Sequence, residues 1–517
     1  MAGNPIATQK IAAGENLTMS VDNVVPWHSA RRLSTPPPAL ATHLDPSDWR
    51  LFSLDAHAAL DRMLQHLQSI RTRPVWTEAP AQIRAQFKSE LPRGSRPIDE
   101  VLEDFERLIQ PYATGNLHPA FMGWVHGAGT PVGMIAEMLT AGLNMNCGGR
   151  NHIGIEIENQ ITRWMQQVFE FPDTATGIFV TGTSMANFLG LVIARNVAVE
   201  NARTEGVTGA AKLCAYASKS VHGCITRAME LAGIGSDSLR LVSCDENGAM
   251  RVEELQRRIA EDEARGYKPF FVVATAGSVD IGAIDPLQQI ADIAAAKGIW
   301  FHVDGAFGAL AALSSVLRPL IAGIERADSI GFDFHKWGHV PYDAGFLLVR
   351  DGEKHRRSFA AANAYLSRAE SGLAAGEVWP CDLGPDLSRG CRALKVWMTL
   401  QHFGADALGN AILENCRAAK HLEARLQHSE SFSLAAPVQL NIVCFNVNSS
   451  NADSDNRRIV EALHVSGRAA PSITLLNGKA VIRCAIVNHR TTVTDIDKFV
   501  ADLHDVGAEL ELSISAC

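Results

Sequence analysis

A chain of 517 residues with 47% hydrophobic and 20% charged side chains has the balance of an ordinary globular protein of two or three domains. Its net charge of −9 and pI near 6.1 argue against a nucleic-acid surface, and no Lys/Arg run is long enough to bind an anionic membrane. The ten cysteines are scattered without a C-x-x-C pair, which argues against a zinc ribbon or redox motif and fits a reducing, cytoplasmic setting.

No secretory signal is expected at the N-terminus, which lacks a charged start and an apolar core. The longest apolar runs, such as Phe188 to Ala194, are far too short to span a bilayer. Residues 1–48 are polar, contain the proline run around Pro37, and read as an irregular arm. From Trp49 to about Leu108 the pattern is helical, with Leu51, Leu54, Ala58, Leu64 and Leu67 near helical spacing. A helical segment is therefore assigned to residues 49–130.

Between residues 131 and 395 short apolar strands alternate with helices. Strands are expected at Ile178–Thr181, Leu213–Ala217, Phe270–Ala276, Ile299–Asp304 and Phe346–Arg350. Helices are expected after Gly182 and after His222. Strands this uniformly apolar are covered on both faces, so a doubly wound α/β domain with a mostly parallel sheet is expected. Beyond residue 396, strands at Gln439–Val447 and Lys479–Val487 around a helix near Arg457–Leu463 suggest a small α+β domain.

The strongest chemical signal is DFHKW, Asp333 to Trp337. Most lysines are solvated surface charges, but Lys336 lies in the apolar run SIGFDFHKWGHVPYDAGF, where burial favours the neutral amine that Schiff-base chemistry requires. Asp304 ends the strand IWFHVD at the sheet's carboxyl edge. It is either a helix cap or a carboxylate paired with a protonated pyridine nitrogen. Gly182-Thr183-Ser184 joins a strand to a helix and admits three readings: a phosphate cradle, a plain N-cap, or a serine nucleophile elbow with Ala186 in place of the last glycine. His222 is either a cap or a catalyst at the same edge. His335 and His339 are four apart without the H-E-x-x-H glutamate, so no zinc site is expected.

Taken in order, the glycine turn, His222, VVATAGSVDIGAIDP, HVDGAFG and DFHKW resemble the group II pyridoxal-phosphate-dependent decarboxylases, the family of aromatic-amino-acid, histidine and glutamate decarboxylases. The resemblance runs from HPAFMGWVHG at His118 through CRALKVW at Trp397. It implies the fold type I architecture of PLP-dependent transferases and an L-amino acid decarboxylated to its amine through an external aldimine and a quinonoid. Lys336 would hold pyridoxal 5'-phosphate, Asp304 would pair with its ring nitrogen, and His222 and Ala306 would pack on its two faces. Thr183, Ser184 and His335 would hold the phosphate. The resemblance also implies a homodimer with active sites at the interface, wrapped by the N-terminal helices, with no nucleic-acid or membrane partner. Aldehyde formation or transamination on the same fold is the alternative outcome.

The departures carry expectations of their own. Met185 stands where the family often has glutamate, and Val279 where it has threonine. Glu377 to Cys381 offers no tyrosine in the loop where animal aromatic decarboxylases place a proton donor; the nearest is Tyr365. Residues 366–386 are therefore expected to form a mobile lid in which Trp379 closes the site, with protonation from His222 or a held water. Trp124 and His126 replace a more apolar wall, and Arg150 and His152 are placed near the pocket mouth, so a polar or acidic substrate is as plausible as an aromatic one.

Overall fold

The computed structural model describes residues 44–209, 211–360, 367–376 and 378–512. The described chain divides into two compact units, one ending at Arg62 and resuming over Pro80–Pro111, the other comprising Met63–Ala79 and everything from Tyr112 onward. The first unit is helical, with Ala81–Gln86, Ile98–Asp104 and the start of Trp49–Gln68, and these helices bury no side chain completely. Its ion pairs include the half-buried Arg62–Glu106 at 2.5 Å and the more exposed Arg96–Asp104 at 2.7 Å.

The second unit holds a seven-stranded sheet, comprising β1 (Thr176–Val180), β2 (Lys212–Ser218), β3 (Leu239–Val242), β4 (Tyr267–Thr275), β5 (Trp300–Asp304), β6 (Ser329–Asp333) and β7 (Gly345–Val349). The strand order is β1-β7-β6-β5-β4-β2-β3, parallel except for β7, which runs antiparallel to both β1 and β6. Every residue of β5, β6 and β7 is buried, which explains their lack of an alternating pattern. The strand period of two still sorts their side chains. Val272, Ala274, Phe301 and Val303 join one core with the helices Ile153–Phe169, Val252–Ala264 and Leu287–Lys297. Phe271, Val273 and Trp300 join another with Thr183–Ala198 and Cys224–Leu231. The doubly wound expectation is met.

A second, antiparallel sheet has the order β10-β11-β9-β8, formed by β8 (Phe432–Leu434), β9 (Ile442–Val447), β10 (Ser472–Leu476) and β11 (Lys479–Ala485). Helices Ala405–Gln427, Ala452–Val465 and Val493–Glu509 cover it through Leu422, Leu463 and Phe499. Buried Arg483 ties it to the loop after β4 and to the segment around Gly123, donating to the carbonyls of Val279 and Gly123, each at 2.8 Å. Among the described residues no helix is long and apolar enough to cross a membrane.

Candidate active site

Five strands deliver chemical groups to one edge. β1 leads into Thr181–Ser184, β2 into His222, β4 ends on Thr275, β5 on Asp304, and β6 on Asp333, with His335 and Lys336 following. Together they line a cavity of about 380 Å³. β1 and β6 are both antiparallel to β7, so their carboxyl ends meet on the same side, where doubly wound sheets bind ligands. The segment around Gly127 lies directly on the lysine turn. A Cβ there would stand 1.8 Å from the His335 carbonyl oxygen, so only glycine permits this approach.

Asp333 organises the turn. Its Oδ2 lies 2.9 Å from Lys336 Nζ, and its Oδ1 accepts the Thr183 N–H at 2.7 Å, joining the lysine to the glycine turn. His335 Nδ1 accepts the Ala344 N–H at 3.0 Å, and burial lowers its pKa to about 4. The neutral ring therefore carries its proton on Nε2, 3.5 Å from Asp333. The Lys336 side chain keeps 21% exposure, toward the cavity.

Asp304 is buried and accepts the Ala306 N–H at 3.2 Å. Burial pushes its pKa up, while Lys336, His222, the Ala306 amide and Asn187 oppose that push. A carboxylate so placed is stabilised by any cation that fills the cavity. The helix-cap reading fails, because the following short helix, Gly308–Leu313, begins four residues after Asp304 and has no side-chain cap. His222 does act as a local cap, its Nδ1 accepting the Cys224 N–H at 3.2 Å, and it also lines the cavity.

The glycine turn is not a nucleophile elbow. Among the described residues no hydrogen bond joins Ser184 to His222 or His335, whose Nδ1 atoms accept from the Cys224 and Ala344 amides. It suits a phosphate differently from a full ring of free amides. The Thr183 amide is taken by Asp333, and those of Met185 and Ala186 return to Gly182 at 2.9 and 3.1 Å. Hydroxyls are available as well. Thr183 Oγ1 and Thr275 Oγ1 are buried without a hydrogen-bond partner, and both line the cavity. A buried hydroxyl left unpaired costs about 1–3 kcal/mol, which a phosphate or pyridine oxygen would relieve. With an amine, a buried carboxylate and these hydroxyls on one cavity, the residues present fit pyridoxal phosphate.

The outer wall is aromatic. His126 stacks near Phe121 and Trp124 at 5.7 and 5.8 Å, and Tyr342 lies 4.3 Å from the His335 ring. Burial and Lys336 both lower the pKa of His126. Arg150, His152 and Trp379 are placed elsewhere than expected. They line a separate, larger groove of about 740 Å³ beside Ile153–Phe169, which holds none of the lysine cluster. Trp379 is 1% exposed, with Arg368 and Arg150 guanidiniums 3.5 and 4.6 Å from its ring centre and its Nε1 donating to the Ala375 carbonyl. It is packed down and does not close the Lys336 cavity. Tyr365, Leu366 and Glu377 lie outside the described residues. Sequence reasoning assigned no role to Asp333, Thr275 or Tyr342. Asp333 opens the DFHKW motif and could have been found from its position three residues before the lysine.

The conserved domain of pyridoxal-dependent decarboxylases matches residues 80–448. The chain is 31% identical to an aromatic-L-amino-acid decarboxylase of Bacillus atrophaeus over 471 residues, 88% of this chain and 95% of the relative. It is 28% identical to a phenylacetaldehyde synthase of Arabidopsis thaliana over 462 residues, 86% and 93% of the two chains. Its fold is similar to the crystal structure of Oryza sativa TDC with PLP and tryptamine, with a TM-score of 0.84 at 24% identity, covering 90% of this chain and all of that one.

Proposed function

This chain belongs to the pyridoxal-dependent decarboxylase family, and on that premise we propose that Lys336, Asp304 and His222 are the catalytic groups with which it decarboxylates a neutral, aromatic L-amino acid. It is a pyridoxal-phosphate-dependent amino-acid decarboxylase. The observation that carries the residue assignment is the single cavity shared by Lys336, Asp304 and the unpartnered hydroxyls of Thr183 and Thr275.

Pyridoxal phosphate, when bound, supplies a ring that accepts the electron pair left as carbon dioxide departs. Lys336 provides the amine that holds it, and the Asp333 carboxylate, 2.9 Å away, orients that amine. The buried Asp304 carboxylate would pair with the ring nitrogen and hold a proton there, which would stabilise charge developing in the transition state. The flat His222 ring and the small Ala306 side chain, both on the cavity wall, would pack on the cofactor's two faces. Thr183, Ser184 and His335 would hold its phosphate, with Thr275 as an added hydroxyl. His222 Nε2, the ring nitrogen not engaged by Cys224, would return a proton to the substrate carbon.

The substrate class follows from the wall. Trp124, His126, Phe307 and Tyr342 line the cavity, and among its described lining residues Lys336 is the only Lys or Arg. An acidic side chain would enter without a cation to pair with, which is costly away from water. A neutral aromatic one meets stacking surfaces. The protein is a homodimer in this reading, since Trp49, Phe87 and Leu91 of the N-terminal helical region are 63%, 62% and 69% exposed. Residues 49–130 then serve as the dimerising segment, 131–395 as the cofactor domain and 396–517 as the small domain. The described cysteines are all free thiols, which fits a cytoplasmic location.

A panel of L-amino acids tests the reading by carbon dioxide, amine, aldehyde and oxygen measured together. Stoichiometric amine from an aromatic amino acid without oxygen uptake is expected. Carbon dioxide from glutamate alone would overturn the substrate class. Aldehyde and peroxide with oxygen consumption would overturn the amine-forming outcome.

A further inference from the structure

Behind Asp304, away from the cavity, lies a closed line of polar groups in an otherwise apolar layer. Strand β5 reads WFHVD, so its period of two puts Trp300, His302 and Asp304 on one face, toward the helix Thr183–Ala198. His302 is 0% exposed and lies beside Ser329 in register on β6. Trp300 Nε1 donates to Ser329 Oγ at 2.8 Å, and Ser329 Oγ lies 2.8 Å from His302 Nδ1. His302 Nε2 lies 2.8 Å from Asn187 Oδ1. The Asn187 amide nitrogen reaches Cys224 Sγ at 3.4 Å, and the same side chain, beside Gly331 that pairs with Asp304, acts to lower the pKa of the Asp304 carboxyl.

The directions of these bonds are determined. An indole N–H can only donate, so Ser329 Oγ accepts from Trp300 and turns its own proton to His302 Nδ1. The imidazole then carries its hydrogen on Nε2 and donates to Asn187 Oδ1. That fixes the asparagine with its carbonyl toward His302 and its NH₂ toward Asp304. The flipped amide would set a carbonyl oxygen against the carboxylate and leave Nε2–H without an acceptor. Burial holds the His302 pKa at about 3, so the ring stays a neutral relay at any working pH. Space is reserved for the line as well. A Cβ on Gly331, the residue paired with Asp304, would stand 2.7 Å from Asn187 Oδ1, and one on Gly190 would stand 3.0 Å from His302 Nδ1.

We infer that His302, fixed by Ser329 and Trp300, is a positioning residue that locks the Asn187 amide so that it donates to Asp304 and keeps that carboxylate ionised toward the cofactor. The inference rests on the proposed role of Asp304 and adds what maintains it. The ionisable groups facing Asp304 are Lys336 from the β6 turn, and His222 and Cys224 from the segment after β2. All of these lie on the cavity side or beside it, whereas the relay reaches Asp304 from inside the sheet. Burial favours the protonated acid, so losing one donated hydrogen bond tips Asp304 toward neutrality.

The test compares the holoenzyme with His302→Leu and His302→Gln, the second keeping an N–H that can reach Asn187. In the leucine variant kcat is expected to fall about tenfold, the size of one hydrogen bond to a charged group, with KM within about threefold. The acid limb of the kcat–pH profile should move to higher pH, because a harder-to-ionise Asp304 needs less acid to be neutralised. Glutamine should recover most of kcat and return the limb toward its original place. A leucine variant with a lower Tm but an unmoved profile would overturn the relay and leave packing alone. Should leucine prevent folding, Ser329→Ala removes only the hydroxyl, and it should lower kcat and move the limb in the same direction; an unchanged profile there also overturns the inference. Failure of the underlying reading is told apart in the wild type, which would then show no visible cofactor band removed by borohydride.

Discussion

Two ion pairs are tied to strand β1 and the turn that follows it, and they have opposite relations to their surroundings. Arg389 and Glu158 side chains are 1% and 7% exposed, and the guanidinium also donates to the carbonyls of Cys147 and Phe179 at 2.8 and 3.1 Å. Both terminal nitrogens are engaged, leaving only Nε without a partner. Lys336 and Asp333 are a looser pair. The ammonium has one charged partner at 2.9 Å and keeps 21% exposure toward a cavity in which two threonine hydroxyls also lack partners. A polar group that the folded chain already satisfies is scaffolding. Polar groups left short of partners on a shared cavity are waiting for a ligand.

That contrast is broken hardest at Lys336. Lys336→Ala should abolish turnover while the urea midpoint shifts only slightly, because no closed network is opened; a large loss of stability would make this lysine scaffolding too. Asp304→Asn should retain cofactor and lose about a hundredfold in kcat, the usual scale of a transition-state electrostatic contact. Near-normal turnover would reduce Asp304 to a local turn residue. Arg389→Met should do the converse, costing roughly 3–5 kcal/mol by stranding buried Glu158, with kcat per loaded molecule little changed. Adding Glu158→Leu should return part of that stability, and chemical denaturation of the single and double variants measures it.

Acid should act on the scaffold before the chemistry. Burial lowers His302 and His339 to about 3, and His335, His355 and His489 to about 4. Each folded value lies below the ordinary 6.5, so the unfolded chain binds more protons between them. Their contribution is complete above about pH 6.5 and is lost as pH falls toward 4 and below, at up to about 1.4 kcal/mol per pH unit for each ring. Asp285, raised by burial to about 6, works the other way between its ordinary value and pH 6 and makes the slope shallower. Unfolding free energies that stay flat from pH 7 to 4.5 would contradict this. The smallest effect belongs to Thr183→Val, which should weaken cofactor retention about tenfold without changing stability, as loss of one hydrogen bond from a hydroxyl that had no internal partner.

The same contrast explains what could be read from the sequence. β5 and β7 are mostly apolar and bounded by turns, so their positions were legible within a residue or two, and the ordered motifs located Lys336 and Asp304 on one edge. β6 was missed because SIGFD is short and mixes serine, glycine and aspartate; its burial comes from lying between β5 and β7, which no local pattern encodes. With it went Asp333, whose role depends on β1 standing two strands away. The hairpin from β10 to β11 turns on Asn477-Gly478, both in the left-handed region at φ +51° and +79°, a turn signature passed over in the sequence. Arg150, His152 and Trp379 were put at the cavity mouth because loop position was judged from neighbours in the chain. Their location is decided by long-range contacts, Cys381 N–H to the Gly148 carbonyl and Arg389 to Cys147 among them.

The central claim is that the under-partnered lysine, and no other, carries the cofactor. Borohydride reduction of the wild-type holoenzyme, followed by proteolysis and mass spectrometry, tests this without any variant. The account predicts one modified peptide, containing Lys336, with Lys395 and the other lysines unlabelled. A cofactor fixed to a different lysine, or a visible band unchanged by borohydride, would contradict it.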